Sequence, residues 1–425
     1  MKVIPMRLRK VMIALVAVSM VVMGLGSAAY AKGEKTPNSL GMDIASAILI
    51  DADSGQVLYE VNSSKPYPPA SMTKLMTEYI VLEEISAKRL NWDTVVTTSK
   101  EAASTPPDGS QIYLAEGDQH SVKDLYIAMA VGSANDATIA LASHISGSEQ
   151  GFVGKMNETA KGLGLTSANF TSATGLLDTT LISAADMAKL AQNIIKKHPD
   201  FLDYSKIPQY KFRERDEKPM INYNWMLESN KSIPALKQYA YPGVDGMKTG
   251  YISAAGYTFT GTAKQGDIRL ISVVMNANSK GARFYETAKL YNFGYNTFER
   301  KTVLAPKSVV ETAKTAKVKK GKKKTVPIVT ESDLSLLVKK GVAPKIDLVG
   351  TKLLPESELV APIKAGDKVG TVTYKYTDAD TKQSLERTVN LIAAKDVQKA
   401  GWFRLMFRSI GDFFAGLFQG IVDLF

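Results

Sequence analysis

Apolar positions recur along the chain in two periods, and the switches between them set out its elements. Ala45 to Asp51 alternates weakly, Asp53-Ser54-Gly55 turns it, and Gln56 to Val61 returns, which predicts a hairpin. A Pro-rich loop, Lys65-Pro66-Tyr67-Pro68-Pro69, then leads into an apolar run from Leu75 to Ile85 that predicts a helix. Thr94 to Thr98 reads as a strand and Glu101 to Gly117 as loop. Ser121-Val122-Lys123-Asp124 resembles a capping box and opens a helix through Val131. Gly132-Ser133-Ala134-Asn135-Asp136 interrupts that helix, which resumes to about His144. Further helices are expected over Gln150 to Leu163 and from the Ser183 cap to Lys197-His198-Pro199. Tyr257 to Lys264 and Ile268 to Asn276 predict a second hairpin, and Arg283 to Phe298 a last helix. Hairpin, helices, hairpin and helix in that order describe an α+β domain: an antiparallel sheet covered by helices, with the chain ends meeting in the sheet.

The pattern changes near Lys301. Short β-like segments follow at Thr325 to Val329, Asp333 to Val338, Lys345 to Leu348, Lys368 to Tyr376 and Glu386 to Ala393, which predicts a small all-β domain. Ahead of them Lys314, Lys317, Lys319, Lys320, Lys322, Lys323 and Lys324 form a basic cluster, most simply a solvated hairpin tip or edge, with a polyanion or membrane contact as the alternative. Gln398 to Phe425 places Trp402, Phe403, Met406, Ile410, Phe413, Phe414, Leu417, Ile421 and Leu424 on one helical face. Its longest uncharged run, Phe413 to Val422, is too short to span a bilayer. Such a helix packs on its own protein, pairs with a partner or lies in a membrane interface, and the aromatic load favours the interface.

Composition narrows the setting. Lys2, Arg7, Arg9 and Lys10 precede an uncharged run from Val11 to Tyr30 that closes on Ala29-Tyr30-Ala31; this reads as an export signal with a cleavage site, favoured over a retained membrane anchor because small residues close the run. Its removal takes the net charge from +11 to about +7. The chain of 425 residues is long enough for two domains, and a composition of 45% hydrophobic and 22% charged residues is globular. There is no cysteine, so an exported chain of this kind is held by its core alone. Three scattered histidines (His120, His144, His198) argue against a zinc site. No metal, no cofactor and no nucleic-acid partner is expected. The basic excess suits a solvated surface or adhesion to an anionic wall or membrane.

The expected domains are a signal peptide over 1–31, a catalytic domain over 32–300, a β-rich domain over 301–396 and an amphipathic helix over 397–425.

Candidate chemistry begins at Ser71-Met72-Thr73-Lys74, the only Ser-x-x-Lys in the chain. Residues three apart share a helix face, so the Ser71 hydroxyl and the Lys74 amine can meet. A hydroxyl attacks only when a base takes its proton, and a lysine serves as base only if burial or a neighbouring cation keeps it neutral. Ser-x-Asn occurs at Ser133-Ala134-Asn135 and at Ser167-Ala168-Asn169. The first breaks an apolar helix and is the stronger candidate: Ser133 could relay a proton and Asn135 could hold a substrate amide. Lys248-Thr249-Gly250 occurs once, ahead of the second hairpin. Lys248 and Thr249 suit a carboxylate, Gly250 admits a ligand backbone, and the Lys248 charge would depress Lys74.

These three triads, in this order and separated by 62 and 115 residues, resemble the signature of penicillin-binding proteins and class A β-lactamases. Ala70-Ser71-Met72-Thr73-Lys74-Leu75-Met76-Thr77, Gly109-Ser110, Val131 to Ala137, Ala173-Thr174-Gly175-Leu176 and Gly243 to Tyr251 carry the likeness further. The mature chain is most similar to D-alanyl-D-alanine carboxypeptidases of low molecular mass, with Ala134 where that family often has Gly. The resemblance implies a penicilloyl-serine transferase fold and an acyl-enzyme on Ser71, with Lys74 as base and Ser133 sharing the proton transfer. It implies Asn135, Lys248, Thr249, Gly250 and Tyr251 in substrate binding, with the Ser71 and Tyr251 N–H groups on the oxyanion. It also implies peptidoglycan stem peptide as substrate, β-lactams as covalent inhibitors, and attachment at the outer face of the cytoplasmic membrane through the tail. A β-lactamase of this signature adds a Glu beyond Ser-x-Asn, and no Glu occurs between Thr159 and Asp186. A catalytically dead wall-binding protein is the other alternative, and intact Ser71, Lys74 and Lys248 speak against it.

Overall fold

The computed structural model describes residues 37–378 and 384–410. The expected export signal and the chain beyond Ile410 therefore lie outside the described residues. The chain divides into two compact units, up to Gly294 and from Tyr295.

The first unit is built on a five-stranded antiparallel sheet. Its strands are β1 (Ser46–Asp51), β2 (Val57–Val61), β3 (Val244–Ile252), β4 (Gly256–Gln265) and β5 (Ile268–Ala277), in the order β2-β1-β5-β4-β3. β1 pairs with β5 from Ser46↔Met275 to Asp51↔Leu270, so the two ends of the unit do meet in the sheet. All six residues of β1 are buried, because the sheet is covered on both faces, which suppresses polar alternation. On one face Ile48, Ile50, Ile271 and Val273 join the main core. On the other, Leu49 and Leu270 lie under Gly294 of α6 (Ala282–Thr297), at separations that leave no room for a Cβ.

The main core surrounds α1 (Lys74–Ser86). This helix packs against α2 (Val122–Gly132), α3 (Asn135–Ser146), α4 (Glu149–Gly162) and α5 (Ala184–Lys197). A helix enclosed by four others is apolar all round, as Leu75, Met76, Tyr79, Ile80, Val81 and Leu82 show by being buried on every side. The expected caps form: the Ser121 Oγ accepts from Asp124 N at 3.0 Å, and Ser183 Oγ from Asp186 N at 3.1 Å.

Two sequence expectations change. Lys248-Thr249-Gly250 does not precede a strand; it lies within β3, the edge strand, paired Thr249↔Phe259 and Lys248↔Thr260. Its pattern hid it, because Lys248 and Thr249 are buried alongside Met247 and give no alternation. The last helix begins later than Gln398. Val397 bridges Ile363, Lys399 bridges Gly321, and helical geometry runs from Trp402 to Ile410.

The second unit contains β6 (Phe298–Leu304), β7 (Thr315–Lys317), β8 (Thr325–Thr330), β9 (Leu334–Lys339), β10 (Lys345–Leu353), β11 (Lys368–Thr377) and β12 (Ser384–Ala393). One sheet has the order β7-β8-β12-β11-β10, and β6 pairs with β9. Val326, Ile328, Leu336, Val338, Val369, Val372 and Leu391 fill its core. β6 and β7 went unread because both are dominated by charged and polar residues at exposed edges.

Candidate active site

Ser71 sits in a 3₁₀ turn, Ala70–Thr73, that runs directly into α1. It caps no helix. Gly175, at φ +79°, lets the loop Ala173–Gly175 lie against this turn; a Cβ there would stand 2.0 Å from Ala70 O and 2.5 Å from Thr73 Oγ1. Gly250 does the same from β3, where a Cβ would meet Pro69 O at 2.6 Å. The Thr258 hydroxyl donates to Pro69 O at 3.0 Å. The turn is thus clamped between a loop and the sheet edge, which fixes Ser71 on rigid elements.

Lys74 is fully buried and its Nζ lies 2.7 Å from Asn135 Oδ1, 2.8 Å from Thr174 O and 3.1 Å from Ser71 Oγ. Two of these partners are pure acceptors and take two N–H bonds. The lone pair of a neutral amine is then left facing the Ser71 hydroxyl. Burial, and after it the charge of Lys248, pushes the Lys74 amine well below the ordinary lysine range. Glu78, Glu149 and Asp136 pull in the opposite direction with smaller effect.

Ser133 lies between α2 and α3 in the left-handed conformation, φ 55° and ψ 28°, which turns one helix into the next. Its hydroxyl is buried and has no hydrogen-bond partner among the described residues. Asn135 follows at the start of α3, and its main-chain N–H donates to Ser110 O at 2.7 Å. Asp136 holds the facing loop: its carboxylate accepts from Ile112 N, Leu114 N and Ala137 N at 2.9 to 3.1 Å. Gly109 packs against the Asn135 amide so closely that a Cβ would stand 2.6 Å from Nδ2.

Lys248 is buried, and the single hydrogen bond of its side chain among the described residues is a long one, 3.4 Å to Thr249 O. Burial lowers it to about 8, opposed by Glu78 and assisted by Arg283. Tyr251, half exposed, stacks on Tyr257 with centroids 4.4 Å apart. Ser71, Ser133, Asn135, Thr249, Gly250 and Tyr251 all line one cleft of about 650 Å³. Lys74 adjoins it through Ser71 Oγ, and Lys248 is the neighbour of Thr249 in β3. All eight residues singled out in the sequence thus converge on one place. The second triad does not: Ser167 Oγ donates to Asp186 at 2.6 Å and ties a loop to α5.

Three charged groups at the site escaped the sequence reading. Arg283 is buried and donates to Gly250 O at 3.0 Å and Thr258 O at 3.4 Å, stiffening β3 beside the cleft. Glu78, one turn along α1 from Lys74, is buried, and burial raises it to about 8 against the pull of Lys248 and Lys74. A charge amid Leu75, Met76, Tyr79 and Ile80 was the signal, since a helix apolar all round has no solvent face. Glu149 accepts from Ala173 N at 2.8 Å and so braces the loop behind Lys74 from α4; it does not line the cleft.

The arrangement offers a hydroxyl with an adjacent amine whose neutral form burial favours, a second buried hydroxyl, and a cationic strand edge. That is the equipment for attack on an acyl group next to a carboxylate.

Comparison with known proteins gives the same answer from another direction. The sequence profile of the D-alanyl-D-alanine carboxypeptidase family matches residues 33–279, and that of the C-terminal domain of penicillin-binding protein 5 matches 298–399. The D-alanyl-D-alanine carboxypeptidase DacF of Bacillus subtilis is 34% identical over 405 residues, covering 95% of this chain and 98% of that protein. DacC of Escherichia coli is 34% identical over 87% of this chain and 88% of its own. Among solved structures, penicillin-binding protein 3 of Streptococcus pneumoniae aligns with a TM-score of 0.72 at 30% identity, over 84% of this chain and all of that one. Penicillin-binding protein D2 of Listeria monocytogenes, in its cefotaxime-bound form, aligns with a TM-score of 0.52 at 34% identity, over 61% of this chain and all of that one. The fold is that of the penicillin-binding proteins, and the chain belongs to the D-alanyl-D-alanine carboxypeptidase family of serine peptidases.

Proposed function

We propose that the protein removes the terminal D-alanine from peptidoglycan stem peptides through an acyl-enzyme on Ser71. The observation that carries this reading is the Lys74 amine, with two N–H bonds spent on Asn135 and Thr174 and its remaining valence toward Ser71 Oγ at 3.1 Å. The substrate lies along the β3 edge. Lys248 and Thr249 hold its terminal carboxylate, and Asn135 holds an amide of the peptide. Ser71 attacks the carbonyl between the last two D-alanines as Lys74 takes its proton, and the oxyanion rests on the N–H groups of Ser71 and Tyr251. Ser133, with its unengaged hydroxyl, passes the proton from Lys74 to the leaving amine. Water then attacks the ester and frees Ser71. β-Lactams present a strained amide beside a carboxylate and acylate the same oxygen.

The protein is exported. Its β-rich unit carries the active domain away from the membrane, and its tail lies in the outer surface of the bilayer. The described part of the tail exposes Trp402, Phe403, Met406, Phe407 and Ile410, which supports this reading. Among the described residues no helix is long and apolar enough to cross a membrane. Shortening the β-rich unit is expected to lower activity on wall while sparing soluble peptide; equal activity on wall would refute the spacer role.

The test is release of free D-alanine from an acylated peptide ending in D-Ala-D-Ala, with Ser71→Ala alongside. Release by the parent and none by the variant is expected. No release by a folded parent would refute the proposal.

A further inference from the structure

The basic cluster that precedes the β-rich strands includes a hairpin tip, as expected, but with an attachment that its sequence did not reveal. Lys319 to Lys324 form the tip between β7 and β8, with all five lysine side chains exposed. That tip is fastened to the base of the terminal helix. Ala400 N donates to Lys320 O at 2.8 Å and Lys322 N to Gln398 O at 2.7 Å. The Arg408 guanidinium, two turns into the helix, donates to Gly321 O at 3.0 Å. Gly321 permits the close approach, since a Cβ there would meet Val397 Cγ1 and Lys323 O at 2.7 Å.

Tip and helix therefore form one surface with two chemistries. Trp402 and Phe407, each about two-thirds exposed, present the apolar part together with Phe403, Met406 and Ile410. Beside it stand the five tip lysines with Lys399, Arg404 and Arg408, and neither 314–325 nor 397–410 contains an acid. A free hairpin tip needs no such attachment, and a dimer contact would bring two of these cationic clusters together. An anionic sheet matches both parts at once.

We propose that the Lys319–Lys324 tip is a second membrane contact, which binds the phosphate headgroups of anionic lipids while the adjoining helix inserts its apolar face. This rests on the reading that the helix lies in the bilayer surface. The tip adds lipid selectivity and fixes the direction in which the β-rich unit rises from the membrane. Each lysine close to an anionic leaflet contributes a roughly fivefold gain in partitioning, screened by salt.

The test is flotation of the full mature chain with vesicles of phosphatidylcholine alone, or with about one-third phosphatidylglycerol. The variants are Lys319→Gln/Lys320→Gln/Lys323→Gln, the same triple change to Arg, and Phe403→Ser/Phe407→Ser. Lys322 is left intact because its Nζ bonds Gln398 Oε1. The Gln triple is expected to lose on the order of a hundredfold in partitioning onto the anionic vesicles, with no change on the neutral ones. The Arg triple should bind as the parent does, and raised salt should abolish the difference. β-Lactam acylation of the Gln triple at the parent rate shows that it is folded. Equal partitioning of the parent onto both vesicles, or parent-like binding by the Gln triple, would overturn the proposal. The Phe pair is expected to lose binding to both vesicles, and parent-like binding by it would overturn the helix reading on which the proposal rests. Binding of the tip to soluble polyphosphate, with no vesicle preference, would replace the lipid by a wall polyanion.

Discussion

Gly175→Ala tests the clamp on Ser71. The new Cβ would stand 2.0 Å from Ala70 O, about 1 Å inside the 3.0 Å limit that real Cβ contacts respect. The obstacle is main chain, so no side chain can swing away. Gly175 is also at φ +79°, where Ala costs about 1–2 kcal/mol before any clash is counted. Ala70 is itself left-handed, at φ 51°, and has little freedom to retreat. The loop and the 3₁₀ turn must therefore part by about 1 Å. That moves Ser71 Oγ on one side, and on the other Thr174 O, which holds the Lys74 amine at 2.8 Å. A misplacement of that size costs on the order of a hundredfold in rate. The assay is the second-order rate of acylation by a fluorescent penicillin, read beside thermal unfolding. A roughly hundredfold slower acylation with a Tm lowered by several degrees is expected. Acylation at the parent rate with unchanged Tm would refute the clamp and the rigid positioning of Ser71.

Three further outcomes follow from the site. Ser133→Ala should lower D-alanine release by roughly 10²- to 10⁴-fold yet leave Tm unchanged, because the hydroxyl gives up no hydrogen bond within the described residues; an unaltered rate would remove Ser133 from the proton path. Asp136→Asn should lower stability by about 2–4 kcal/mol, since one carboxylate serves three buried N–H donors and an amide cannot accept them all; denaturant titration measures this. Glu78 is raised to about 8 by burial, so its contribution to stability is full below about 4.5 and is lost as pH rises through 8. The Tm of the parent relative to Glu78→Gln should therefore decline between pH 5 and pH 8, and a constant difference would contradict the buried carboxyl.

What could be read in the chain was what local pattern controls. The Ser71–Lys74 pair follows from helical spacing, and Ser133 from a break inside an apolar helix. β1, β2, β4 and β5 announced themselves by β-branched runs and turns between them. β3 did not, since the cleft buries Lys248 and Thr249, and burial of polar residues leaves no alternation to detect. Arg283 went unread because only tertiary packing against β3 makes it internal, whereas Glu78 carried a signal in its apolar neighbours. The late start of the terminal helix was hidden for a related reason. Val397 and Lys399 have helical neighbours in sequence, but they bridge Ile363 and the hairpin tip at Gly321, distant in the chain.

The central claim is that Ser71 is activated by a neutral Lys74. The most direct measurement is the pH dependence of acylation by a β-lactam, with the modified peptide assigned by mass and Lys74→Arg beside the parent. The account predicts an adduct on Ser71 and a rate that rises with pH through one ionisation well below the ordinary lysine range, because burial and Lys248 depress that amine. It predicts no acylation by a folded Lys74→Arg, whose guanidinium stays charged. An adduct on another residue, or parent-like acylation by Lys74→Arg, would contradict it.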